Sequence, residues 1–210
     1  MSGFARPILL ELTLSVFFMR TSIVALFLLY SITILTSCDD ESTGTPAQFI
    51  TIEGKSYPIV KIGTQTWTSS NYAGTGGVSY DITNSKPEYG KYYSKAELDA
   101  IIPPSGWRIP TVADYTALAQ FYGISIPSKG GEGEAIKALI SATDWNHVVG
   151  TNASGFNAYP GGYIFGNANP IGGDIAEFWA VDGKTFSIQE AGADLNSLRI
   201  ALYESTNSPD

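Results

Sequence analysis

The chain has 210 residues, 12 of them basic and 20 acidic, which gives a formal net charge of −8 at pH 7. This balance argues against nucleic acid as a partner, because binding to phosphates needs a basic stripe that the sequence lacks. Cys38 is the single cysteine, so the chain can form neither an internal disulfide nor a thiolate metal site. The length predicts one main domain, stabilised by an apolar core alone.

The N-terminal region ends in a short apolar run before the cysteine. Residues 23–35 are uncharged, Thr36 and Ser37 are small, and acidic residues follow Cys38 directly. This order resembles the lipobox of bacterial lipoproteins, in which the cysteine receives a diacylglycerol and the signal peptide is cleaved before it. The run is too short to cross a bilayer, which needs about 20 apolar residues. We therefore predict a signal peptide over residues 1–37 and a lipidated Cys38.

Several alternatives remain open for this region. Met19 begins a complete signal peptide of its own, so residues 1–18 are interpreted as an upstream extension of the gene. A transmembrane anchor over residues 8–35 is disfavoured by Glu11 and Arg20, since buried charges cost a few kcal/mol each. A secreted protein with an unmodified cysteine is the third interpretation. The acidic residues after Cys38 resemble the surface-export signal of lipoproteins in Bacteroidetes, which implies a lipid-anchored protein at the outer membrane or cell surface.

The chain after Cys38 divides into a tether, a domain and a tail. We predict a flexible tether over residues 38–47, a domain over residues 48–205 and a frayed tail over residues 206–210. The domain begins with a predicted hairpin, in which β-branched runs at residues 49–52 and 57–62 flank a glycine turn. Residues 74–90, which are mostly Gly, Ser, Asn, Pro and Tyr, are predicted to be a loop.

Helix signals occupy the middle of the domain. Ser94 and Glu97 form a capping-box pattern that predicts a helix to about Ile101. Thr111, followed by Asp114, predicts a second helix that ends at Gly123. Apolar spacing predicts a third helix over residues 134–142, and strands are predicted after it. The predicted strands are residues 163–165, 175–181, 185–188 and 198–203, with a hairpin turn at Asp182-Gly183.

Six segments, in chain order, share their pattern with one known family: residues 60–67, 89–93, 104–111, 155–163, 178–179 and 198–199. They resemble the Fibrobacter succinogenes major paralogous domain, and the Gly-Trp-Arg-Ile-Pro-Thr segment at residues 106–111 is also similar to the formylglycine-generating enzyme family and other C-type-lectin-like folds. The resemblance implies an α+β, C-type-lectin-like fold. In that fold, two or three short helices pack on twisted antiparallel strands with long irregular loops. Cysteines that members often carry are replaced here by Pro103 and Ile200.

Candidate binding residues follow from their positions in the predicted loops and turns. The loop tyrosines Tyr72, Tyr80 and Tyr89 are candidates for sugar contacts. Arg108 is interpreted either as a clamp for a substrate anion or as the partner of a carboxylate such as Asp174 or Glu177. Those two carboxylates are also weak candidates for calcium, although no metal site or other cofactor is predicted. The four tryptophans are interpreted as core residues rather than a sugar platform, and they are Trp67, Trp107, Trp145 and Trp179.

The sequence offers no catalytic constellation. His147 is the only histidine, a Gly-x-Ser-x-Gly motif is absent, and no cysteine pair is available for oxidase chemistry. We therefore expect a non-enzymatic, lectin-like binding or structural domain, held on the membrane by its lipid, with a glycan or a cell-surface protein as ligand. The alternative is a hydrolase or modifying enzyme that uses carboxylates on a polysaccharide, with Asp174 and Glu177 as the pair.

Overall fold

A computed structural model describes residues 4–12, 48–80, 86–129, 131–166, 169–193 and 196–204. Cys38, the tether and the tail lie outside these residues. The described chain contains three α-helices and twelve strands. The helices are α1 (Lys95–Ala100), α2 (Val112–Phe121) and α3 (Gly133–Lys137). The strands are β1 (Phe4–Arg6), β2 (Glu11–Leu12), β3 (Gln48–Ile52), β4 (Lys55–Ile62), β5 (Gln65–Thr68), β6 (Val78–Ser79), β7 (Lys91–Ser94), β8 (Trp107–Arg108), β9 (Ile164–Phe165), β10 (Ile175–Trp179), β11 (Lys184–Ala191) and β12 (Ser197–Glu204).

The strands form three antiparallel sheets. One sheet has five strands in the order β3-β4-β5-β2-β8, and another has four in the order β6-β7-β1-β9. The third sheet is the meander β10-β11-β12. The predicted hairpin of β3 and β4 is confirmed, with Glu53 and Gly54 at positive φ in its turn. The predicted Asp182-Gly183 turn is also confirmed, since it joins β10 to β11.

The first two predicted helices are confirmed together with their caps. The Ser94 hydroxyl accepts a hydrogen bond from the Glu97 N–H, and the Glu97 carboxylate accepts one from the Ser94 N–H. Thr111 and Asp114 make the same reciprocal pair at the start of α2. Each pair satisfies amides that have no partner within the helix. These helix starts are therefore fixed by local sequence.

The predicted α+β, C-type-lectin-like fold is wrong. The structure is mostly β, and its three helices have only 6, 10 and 5 residues. The third helix ends at Lys137 rather than at residue 142, because Ile140 leaves the helical path to form a bridge with Ala158. Part of the predicted loop forms β6, and residues before the tether form β1 and β2. Strand pairing therefore overrode helical spacing after Lys137 and formed short strands where a loop and a signal peptide were predicted.

Two apolar cores lie in the described part of the domain. The larger includes Trp67, Tyr115 and Phe186, and the rings of Tyr115 and Phe186 are stacked with centroids 4.5 Å apart. The second core includes Tyr72, Tyr93 and Trp179. Trp67, Trp107 and Trp179 are buried, as predicted for core residues. Trp145 is only half-buried and packs against the larger core.

Residues 4–12 lie inside the domain. Ile8 and Leu10 belong to the second core and Leu9 to the larger one, and each is at most 2% exposed. This alternation is the period of an extended strand, which sends successive side chains to opposite faces. The alternative of a transmembrane helix over residues 8–35 is therefore wrong at its N-terminal end, because residues 8–12 are extended. Among the described residues, no helix has the length and hydrophobicity to cross a bilayer.

Candidate functional site

A surface pocket of about 300 Å³ lies between the turn after β3 and the end of α1. Its lining consists of Glu53, Tyr72, Thr75, Gly76, Glu97, Ala100, Ile101 and Ile102. Apolar walls with a few convergent polar groups are typical of small-molecule sites. Ile102 is 90% exposed at the rim, and Tyr72 is buried at the base. The Tyr72 hydroxyl donates a hydrogen bond of 2.8 Å to the Glu53 carboxylate. We call this the Glu53–Glu97 pocket.

The two carboxylates of the pocket are held by hydrogen bonds. The Tyr72 hydroxyl and then the Thr75 N–H lower the pKa of Glu53 below its ordinary value. Partial burial raises the pKa of Glu97, but bonds from Ser94 and from the Gly77 N–H outweigh it and lower the pKa overall. Both groups are therefore ionised at neutral pH, and the pocket disfavours anionic ligands.

The other loop tyrosines are less accessible than their positions predict. Tyr89 is 1% exposed, and its ring meets that of Tyr80 edge-on at 4.7 Å. Lys86 lies 4.7 Å from the Tyr89 ring centroid and donates a hydrogen bond to the Tyr89 hydroxyl. Burial raises the pKa of Tyr89 well above its usual value. Of the three predicted tyrosines, Tyr72 lines the Glu53–Glu97 pocket, Tyr80 is half-buried and Tyr89 is buried.

Arg108 is placed by β8 beside two carboxylates that the sequence did not indicate. Its guanidinium donates to Glu11 at 2.7 Å and to Asp114 in the α2 cap. Arg108 thus pairs with carboxylates, as one of its two interpretations expected, but the partners are Glu11 and Asp114 and the suggested Asp174 and Glu177 are wrong. Burial, and then the nearby charge of Asp114, raise the pKa of Glu11, while Arg108 opposes both. The Glu11 side chain is 5% exposed and that of Arg108 41%. The ion pairs of Arg108 with Glu11 and Asp114 therefore link β8 to β2 and to α2.

Glu177 is also engaged in an ion pair. It lies on β10, and its carboxylate accepts a 2.7 Å hydrogen bond from Arg6 of β1, with both side chains under 10% exposed. Asp174 precedes β10, and its carbonyl accepts the Glu190 N–H. The two carboxylates considered as a catalytic pair or calcium site therefore lie in different environments. Glu177 is paired with the buried Arg6, whereas Asp174 is half-buried. Within the described ranges, no three His, Cys, Asp or Glu side chains form a group that could hold a metal.

His147 has a partner that sequence reasoning missed. Its Nδ1 lies 2.6 Å from the Glu190 carboxylate, which also accepts the N–H groups of His147 and Val148. The His147 side chain is 45% exposed, whereas that of Glu190 is fully buried. Glu190 therefore holds the 147–148 turn against β11. The two residues lie 43 positions apart, and no local pattern relates them.

A second pocket, of about 490 Å³, lies between α3 and β12. Charged side chains of both signs, including Lys129, Glu134 and Arg199, line it. None of the sequence-predicted site residues reaches this pocket. The Glu53–Glu97 pocket is the better candidate for a ligand, because its lining combines apolar surface with a few fixed polar groups.

Comparison with known proteins identifies the family. A family model described as the Fibrobacter succinogenes major domain matches residues 60–199, which is two thirds of the chain. The chain belongs to this family. The match begins in β4 and ends in β12, so the Fibrobacter succinogenes major domain includes most residues of the larger core and most of the lining of the Glu53–Glu97 pocket, although Glu53 itself precedes it. The segment 4–12 and strand β3 lie outside the matched residues. No curated protein and no solved structure matches the chain.

Proposed function

We propose that the protein is a cell-envelope lipoprotein whose β domain binds a ligand without catalysing a reaction. The observation that carries the binding role is the Glu53–Glu97 pocket, where two ionised carboxylates and a buried tyrosine face apolar walls. Hydrogen-bond acceptors beside apolar surface suit a neutral or cationic sugar, with hydroxyl or ammonium groups to donate. The carboxylate-dependent hydrolase has no comparable support, because Glu177 is paired with Arg6.

The anchor rests on the sequence around Cys38, where an apolar run, two small residues and the thiol are followed by acidic residues. Two or more acyl chains give durable attachment to a membrane, while one chain binds only marginally. Lipidation at this position places the following domain next to the membrane surface. The pocket would then be displayed at the outer membrane or cell surface.

The anchor is tested by metabolic labelling with palmitate. We expect the protein to carry label and to fractionate with membranes, and Cys38→Ser to lose both properties because no thiol remains to be alkylated. Ser37→Ala is the matched control, since it keeps a small residue before the cysteine and should stay labelled. An unlabelled parent protein, or a labelled Cys38→Ser variant, would overturn the anchor.

The binding role is tested on a glycan array with the full chain. Ala100→Trp places a large side chain in the pocket lining, and we expect it to lower the signal for any bound glycan by at least about tenfold, a loss of about 1.4 kcal/mol. Ala96→Trp is the matched control, because Ala96 is also exposed on α1 but does not line the pocket. Equal signals from the two variants, or no glycan bound by the parent, would contradict a sugar site here.

A further inference from the structure

The segment 4–12 fills a groove that crosses two sheets of the domain. Its first part, β1, lies between β7 and β9, and its last part, β2, lies between β5 and β8. Between them, Tyr72 N–H donates to the Ile8 carbonyl at 2.7 Å and Thr68 N–H donates to the Leu10 carbonyl at 3.0 Å. Backbone hydrogen bonds therefore line both sides of the segment along most of its length.

The groove is specific in charge as well as in hydrophobicity. Glu177 meets Arg6 at one end of the segment, and Arg108 meets Glu11 at the other. The aliphatic side chains of Ile8 and Leu10, between these charges, are completely buried. If the Glu177 carboxylate were buried in the groove without a cation beside it, the folded state would be strongly destabilised. The groove thus selects an extended segment with a base, alternating aliphatic residues and an acid.

The segment lies outside the family match, whereas the strands that hold it lie within it, between residues 60 and 199. Cys38 falls between the two, in residues 13–47. Cleavage before Cys38 would separate the segment from the domain and leave two pairs of strand edges without their central strand. Unpaired strand edges bind extended peptides by β-augmentation.

The rest of the chain offers no substitute for the segment. Of the 12 basic residues, only Arg6, Lys129 and Arg199 have an acidic residue five positions later. After Lys129, the positions that would match Ile8 and Leu10 are glycines. Arg199 lies in β12, which is already paired with β11.

We propose that this groove is a strand-acceptor site for a partner protein. It takes in an extended segment with a basic residue, aliphatic residues two and four positions later, and an acidic residue at the fifth. In the 210-residue chain residues 4–12 occupy the site, and either cleavage before Cys38 or a start at Met19 would leave it open. The proposal rests on the proposed function in one respect, since cleavage before Cys38 is one event that opens the groove.

The test uses the full chain with Cys38→Ser and a specific protease site inserted between residues 40 and 45. After cutting, a fluorescent peptide of residues 3–13 is added. We expect uptake to one peptide per protein in the cut chain and much slower uptake in the uncut chain, because the tethered segment competes at high effective concentration. A peptide with Arg6→Glu should bind at least about 100-fold more weakly, since it sets two carboxylates against each other in a buried place.

Charge reversal in the domain provides the matched control. A cut chain with Glu177→Arg should prefer the Arg6→Glu peptide over the unchanged one, and the peptide comparison on the parent chain remains decisive if that variant does not fold. No uptake by the cut parent, or equal uptake of both peptides, would overturn the strand-acceptor site. Uptake as expected in a protein without palmitate at Cys38 would uphold the site and overturn only the processing step. Labelled Cys38 without peptide exchange would overturn the site alone.

Discussion

Gly162→Ala should destabilise the domain by at least about 3 kcal/mol more than Gly183→Ala. Both glycines have positive φ, so the left-handed backbone costs either alanine roughly 1–2 kcal/mol. They differ in the space around them. A Cβ on Gly162 would lie 1.6 Å from the Ile171 carbonyl oxygen, whereas a Cβ on Gly183 would have nothing within 4 Å.

The clash at Gly162 cannot be relieved by a side-chain movement. Tyr163, the residue after Gly162, exchanges two backbone hydrogen bonds of 2.8 and 3.1 Å with Ile171. Moving the two backbones apart to make room for a Cβ would break these bonds. Denaturant unfolding of the two variants gives the comparison directly. Equal midpoints for Gly162→Ala and Gly183→Ala would show that the two backbones do not approach each other as described.

Single replacements in the Arg6–Glu177 pair should each cost about 3–5 kcal/mol. Arg6→Met leaves the Glu177 carboxylate buried without a cation, and Glu177→Leu leaves the guanidinium buried among rings. The double variant removes both charges and should be more stable than either single variant. The measurement is the free energy of unfolding of the full chain carrying Cys38→Ser, in a double-mutant cycle.

The exposed pair of Lys95 and Asp99 on α1 provides the control. Asp99 is 55% exposed in its side chain, and Asp99→Ala should change the free energy of unfolding by less than about 0.5 kcal/mol. Additive effects of Arg6→Met and Glu177→Leu would mean that the two side chains do not meet. An Arg6→Met variant as stable as its parent would mean that the N-terminal segment is not packed in the folded chain.

The sequence predicted features that depend on neighbouring residues. The caps at Ser94 and Thr111 use a partner three positions along the chain, and the turn at Gly183 follows from its dipeptide. The burial of Trp67 was expected from its large apolar area and from its place in a segment that resembles the family. These signals are local, so tertiary packing had little opportunity to change them.

The remaining features depend on pairs that are distant in the chain. Arg6 and Glu177 are 171 positions apart, and Arg108 and Glu11 are 97 apart. A continuous apolar run such as residues 8–10 has no alternation, because both faces of the strand are buried, and hydropathy alone then cannot distinguish strand from helix. Tyr72 was predicted as a sugar contact from its place in a loop, and its position in the pocket depends on Glu53, which lies 19 residues away in the chain.

The alternating side chains of residues 8–10 have a consequence for how the domain melts. Leu9 packs in the larger core, while Ile8 and Leu10 pack in the second core, so one short stretch of backbone contributes to both cores. Neither core can unfold without pulling this stretch of backbone away from the other core. Heat or denaturant should therefore unfold both cores in one cooperative transition for as long as residues 8–10 remain bound.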